Sequence, residues 1–110
     1  MNIKNLQKEV YDLAKEKGWH DHGNEKSFLE CCALIHSELS EAIEEFRSGK
    51  FYTEVYYNDE KPEGIPIELA DVLIRLLDTA EQYGINLEEA VEIKHQFNKT
   101  RSYRHGNKKA

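Results

Sequence analysis

The sequence predicts an all-α fold: a four-helix bundle-like domain with a long loop between helices two and three. Three observations predict it. Apolar residues recur at helical spacing in successive segments, helix-capping residues and glycines bracket those segments, and no run alternates as a half-buried strand would.

Each element has its own signal. Ile3, Leu6, Val10, Leu13 and Ala14 mark a first helix that Gly18 ends. A polar linker follows, from Trp19 to Asn24, with His20 and His22 inside it. Ser27-Phe28-Leu29-Glu30 has the capping-box pattern, and Phe28, Cys32, Ile35, Leu39, Ala42, Ile43 and Phe46 then trace one face of a second helix to about Arg47. From Ser48 to Gly64 the periodicity stops, which reads as a Tyr-rich surface loop with room for a short hairpin. Pro66 suits the first turn of a third helix running from Ile67 to about Tyr83. Its polar residues form only a narrow strip, Glu68, Asp71, Arg75 and Asp78, so this helix is expected to be central or covered by another subunit. Asn86 caps a fourth helix, with Leu87, Ala90, Val91 and Phe97 expected inward. One domain spans residues 1–106, and a basic tail, 107–110, follows it.

Composition narrows the function. The net charge of −6 conceals an asymmetry: Ile93 to Ala110 holds six Lys/Arg and no Asp/Glu, whereas the rest holds nine Lys/Arg against 21 Asp/Glu. An acidic body argues against a general nucleic-acid binder and suits an anionic ligand that arrives with cations. The adjacent Cys31 and Cys32 are poorly placed to bridge each other, which implies reduced thiols and a cytoplasmic location. No apolar run approaches membrane-spanning length, so no membrane partner is expected.

The informative chemistry is a repeated spacing. Glu38-x-x-Glu41 lies in the second helix and Glu68-x-x-Asp71 in the third, each beside apolar residues. Such a pair on an exposed helix is ordinarily a solvated face. If the two pairs face each other, carboxylates about 4 Å apart repel by roughly 4 kcal/mol at an effective dielectric near 20. A hard divalent cation relieves that repulsion, and oxygen ligands without soft ones favour Mg²⁺, with Mn²⁺ as the substitute. Glu45, one turn past Glu41, is a candidate to orient water. Lys94, Asn98 and Arg101 share one side of the fourth helix, where cations and an amide suit phosphate and sugar, although such a stripe taken alone is ordinarily a solvated basic helix end favoured by the macrodipole. Trp19, the one tryptophan, is a candidate to stack on a base.

Taken together, these residues resemble the MazG-like all-alpha nucleoside triphosphate pyrophosphohydrolases. The resemblance rests on Glu38-Leu39-Ser40-Glu41-Ala42, on Glu68-Leu69-Ala70-Asp71-Val72-Leu73-Ile74, on the Lys94/Asn98/Arg101 pattern and on the Lys17-Gly18-Trp19 turn. It implies Mg²⁺-dependent hydrolysis of a (deoxy)nucleoside triphosphate to the monophosphate and pyrophosphate, by water attacking the α-phosphorus. It assigns Glu38, Glu41, Glu68 and Asp71 to metal and catalysis, and Lys94, Asn98, Arg101 and Trp19 to the nucleotide. It also implies a homodimer or homotetramer. An all-alpha dUTPase or a phosphoribosyl-ATP pyrophosphohydrolase is the related alternative. A non-enzymatic nucleic-acid or protein interaction module is the alternative from another class. A di-iron bundle needs Glu-x-x-His on two helices, and only Glu92-x-x-His95 fits.

Overall fold

A computed structural model of the chain describes residues 2–102, 104 and 109. The sequence-predicted tail, 107–110, otherwise lies outside the described residues. The elements run α1 (Ile3–Glu16), α2 (Phe28–Arg47), β1 (Tyr56–Asn58), β2 (Lys61–Glu63), α3 (Ile65–Gln82) and α4 (Leu87–Thr100). The predominantly helical expectation is met, and the long loop contains a small antiparallel hairpin.

Local chemistry explains the boundaries. At α2 the capping box is complete: Glu30 N–H donates to Ser27 Oγ at 3.1 Å, and Ser27 N–H donates to Glu30 Oε1 at 3.2 Å. At α4, Glu89 N–H donates to Asn86 Oδ1. The hairpin pairs Tyr56 with Glu63, Tyr57 with Pro62 and Asn58 with Lys61. Its turn places Asp59 at φ 57°, a left-handed conformation that Asp tolerates better than bulky residues. Gly64 starts α3 at φ 125°, and a β-carbon there would collide with the Glu54 carbonyl oxygen. This close approach brings the loop backbone down onto the first turn of α3, where Glu68 sits.

Helix α3 is central, packing against both α1 and α2, while α4 packs on α1. The buried core is small: Cys31 and Ala42 of α2, and Ile65, Leu77 and Ala80 of α3. Gln7 of α1 joins it, donating to Glu81 Oε1 and to the Ile85 carbonyl, which fastens α1 to the end of α3.

Much apolar surface is left uncovered. Leu39, Ile43 and Phe46 of α2 are 49%, 52% and 55% exposed, and Leu69, Leu73, Ile74 and Leu76 of α3 are exposed with them. The predicted inward face of α4 needs correction. Leu87 and Val91 are half-buried against α1, but Ala90 and Phe97 are exposed, and no α4 residue among those described is buried. The cause is that α4 packs sparsely on α1 rather than filling a cleft.

Candidate metal centre and adjoining cleft

The packing of α2 against α3 brings three of the four predicted carboxylates together. Glu38 from α2 and Glu68 and Asp71 from α3 each offer an oxygen, and these oxygens lie within 4.8 Å of one another. All three residues are half-buried. Glu41 is exposed and lies outside this triad, although its charge is felt at Glu68. Three residues advance the helix by about 300°, so Glu41 is turned from Glu38 by about 60° toward solvent.

The electrostatics are those of a crowded acidic site. Burial, and then the charges of Asp71, Glu38, Glu41 and Glu45, push the Glu68 carboxyl above the ordinary carboxylate range. Burial and Glu38 raise Asp71 as well, and Arg75 and Lys61 partly oppose this. Arg75, one turn beyond Asp71, donates from Nε to Glu38 Oε1 at 2.8 Å. Sequence reasoning gave Arg75 no role. The signal was its place in the narrow polar strip of α3.

Glu45 is held from the hairpin. The Tyr56 hydroxyl lies 2.9 Å and 2.8 Å from the two Glu45 oxygens, and the carboxylate pushes the phenol up to about 12. The Tyr-rich loop is thereby tied to the helix that carries Glu38.

A cleft of about 440 Å³ opens beside the triad, between α1, α2, α3 and the α1–α2 linker. Glu38, Asp71 and Arg75 line one part of it; Trp19, Val10 and Leu13 are among its other walls. Trp19 is 62% exposed, with Lys26 Nζ 5.1 Å from its ring centroid. Two further polar residues in this cleft were not singled out for a joint role from sequence. His20 Nε2 lies 2.7 Å from Asp78 Oδ1, and the imidazole packs tilted against Tyr11, with ring centroids 4.4 Å apart and planes at 36°. Nothing in the sequence links His20 to Asp78, because the two are 58 residues apart. His22, by contrast, is exposed, and both cysteines are free thiols.

The predicted nucleotide-binding stripe of α4 stands elsewhere. Lys94 and Asn98 line a separate shallow groove with Leu87 and Val91. Lys94 and Arg101 place their cationic groups 5.1 Å and 5.4 Å from the Phe97 ring centroid. Within one chain, then, Trp19 is brought to the cleft beside the carboxylates, and Lys94, Asn98 and Arg101 are not. No helix among the described residues is long and apolar enough to cross a membrane. The chain matches no protein-family model, no curated protein and no solved structure.

Proposed function

We propose that the chain is a Mg²⁺-dependent nucleoside triphosphate pyrophosphohydrolase of the MazG-like all-alpha kind, converting a (deoxy)nucleoside triphosphate and water to the monophosphate and pyrophosphate. The observation that carries this reading is the convergence of Glu38, Glu68 and Asp71 from two helices at the edge of a nucleotide-sized cleft. The donor set fits a hard divalent cation: every member is a carboxylate oxygen, and burial together with mutual repulsion disfavours the ionised forms of Glu68 and Asp71. Glu38, Glu68 and Asp71 would hold the ion, with Glu41 completing the set from the next turn of α2. When bound, Mg²⁺ neutralises phosphate charge and makes water more acidic.

The chain's own groups supply the positioning. Arg75 fixes the orientation of Glu38 through its Nε hydrogen bond. Glu45, held by Tyr56, is the group assigned to orient water. Water oxygen bonds to the α-phosphorus as the bond to the bridging oxygen of the β-phosphate breaks, and pyrophosphate leaves. Little covalent chemistry is asked of the protein, whose part is charge neutralisation and positioning. In a homodimer or homotetramer the uncovered apolar faces would be buried, and α4 of a second copy would carry Lys94, Asn98 and Arg101 to the nucleotide. The related dUTPase and phosphoribosyl-ATP activities use the same chemistry with a different base or sugar.

Pyrophosphate release from a panel of ribo- and deoxynucleoside triphosphates, with and without Mg²⁺, tests the proposal. Metal-dependent release that Glu68→Gln largely abolishes is expected. A Glu68→Gln protein as active as wild type removes the metal site from the mechanism. No turnover, with salt-sensitive nucleic-acid binding that persists without Mg²⁺, favours the interaction module.

A further inference from the structure

Arg75 is committed to the carboxylate triad through only part of its guanidinium. Its Nε donates to Glu38 Oε1 at 2.8 Å, a single contact where arginine and carboxylate commonly pair through two. Among the described residues, neither terminal amino group of Arg75 makes a hydrogen bond. The Arg75 side chain is 42% exposed, against 17% for Glu38, and it lines the cleft with Glu38 and Asp71. One edge of the guanidinium is therefore on a candidate metal ligand, and the rest of its donors are uncommitted. The other cations are placed differently. Lys61 also acts on Asp71, but it sits on the hairpin with its Nζ 3.7 Å from Glu63. Lys26 lines the same cleft with its Nζ near the Trp19 ring. Lys94 and Arg101 lie beside Phe97 on α4.

We propose that Arg75 is a phosphate-contacting residue of this site: its terminal amino groups bind the phosphate chain of the substrate while its Nε stays on Glu38. A planar guanidinium matches phosphate oxygens, and it keeps its charge at every working pH. Glu38 has a second oxygen with which to bind an ion, so one carboxylate can serve metal and guanidinium together. Until the ion is bound, Arg75 supplies the countercharge to Glu38. With the ion bound, that countercharge is surplus at the triad, and an anionic ligand satisfies it. This assignment rests on the hydrolase reading. It puts a phosphate contact on the same chain as the carboxylates and leaves Lys94, Asn98 and Arg101 of a second copy to the rest of the nucleotide.

Two calorimetric titrations of the full-length chain test it: Mn²⁺ alone, and inorganic tripolyphosphate in saturating Mg²⁺. The first reads the ion site and the second the phosphate contact, with no base or sugar involved. Arg75→Gln is expected to weaken tripolyphosphate binding about tenfold or more, as for loss of a charge-assisted hydrogen bond. Its Mn²⁺ affinity should be equal to or tighter than wild type, because a like charge has been taken from beside the ion. Arg75→Lys, which keeps the charge without the fork, should fall between the two. Lys94→Gln should change tripolyphosphate binding less than about threefold, as for an exposed charge. Tripolyphosphate affinity unchanged in Arg75→Gln overturns the proposal. So does an equal loss of Mn²⁺ affinity, which would make Arg75 a positioning residue acting only through Glu38. A larger loss in Lys94→Gln than in Arg75→Gln overturns it as well, by putting the phosphates on α4. The two readings fail differently. Wild type that binds neither Mn²⁺ nor tripolyphosphate removes the hydrolase reading and this assignment with it. Binding of both that Arg75→Gln leaves intact removes the assignment alone.

Discussion

Replacing Glu68 by Gln should stabilise the metal-free protein. Glu68 and its two partners place oxygens within 4.8 Å of one another. At that separation and an effective dielectric near 20, each like-charge pair costs roughly 3.5 kcal/mol before solvent screening. The carboxylates are half-buried, not sealed, so screening reduces the recoverable energy to on the order of 1–2 kcal/mol. For a domain of this size, 1 kcal/mol corresponds to about 4–8 °C in melting temperature. The pH dependence has a definite sign. Glu68 and Asp71 have folded-state pKa values raised above 4.5 and 3.8. The folded state therefore holds their protons more tightly, and stability is lost as pH rises from the unfolded values through the raised ones. The advantage of Glu68→Gln should be near zero below about pH 4 and grow to its full value by neutral pH. Divalent cation should reverse the order. A saturating ion at about 100 times its dissociation constant adds roughly 2.7 kcal/mol to wild type, and the variant, short of one ligand, gains less. Urea or thermal denaturation in EDTA and in Mn²⁺, at several pH values, reads all three effects. A Glu68→Gln protein less stable than wild type at neutral pH in EDTA would refute the electrostatic account.

Other perturbations test the frame that holds the site. Leu77→Ala removes the most deeply buried large side chain, 1% exposed, and should cost about 2–5 kcal/mol by denaturant unfolding. Ser27→Ala breaks the capping box of α2 and should cost about 1 kcal/mol, with the Ser27→Gly variant milder. Gly64→Ala combines a positive φ with a collision at the Glu54 carbonyl. It should cost on the order of 2 kcal/mol or more and weaken Mn²⁺ binding in a calorimetric titration, because it displaces the turn that carries Glu68. Arg75→Ala removes the one cation that is hydrogen-bonded to Glu38 among the described residues. In metal-free buffer it should further raise the Asp71 carboxyl, as followed by NMR titration.

The helices were legible because their signals are local. Helical apolar spacing, the Ser27/Glu30 box, Asn86 and the glycines at 18 and 84 act within a turn or two, and the observed boundaries fall within a residue or two of expectation. The carboxylate grouping was legible only as a condition: the repeated spacing beside apolar residues raised the possibility that two pairs face each other, and the packing of α2 on α3 brings three of the four, Glu38, Glu68 and Asp71, together. Glu41 did not join the triad because helical spacing turns it toward solvent, which a three-residue repeat alone leaves undecided. The His20–Asp78 contact was illegible: it depends on how the linker folds back over α3, with Gln82 and Tyr83 both donating to the Lys26 carbonyl. The inward face assigned to α4 failed because an amphipathic pattern states that a helix has an apolar side, not that this chain covers it.

That uncovered α4 has a consequence for hydrogen exchange. A helix of 14 residues with no buried side chain is near the length at which isolated helices are marginal in water. Its amides should therefore exchange through local opening, at free energies well below those of α3, whose Leu77 and Ala80 are locked in the core. The chain would behave as two exchange units, a cooperative α1–α3 unit that carries the carboxylates and a separately opening α4. Any contact that covers α4 would register first as slowed exchange from Leu87 to Thr100, before it altered the melting of the rest.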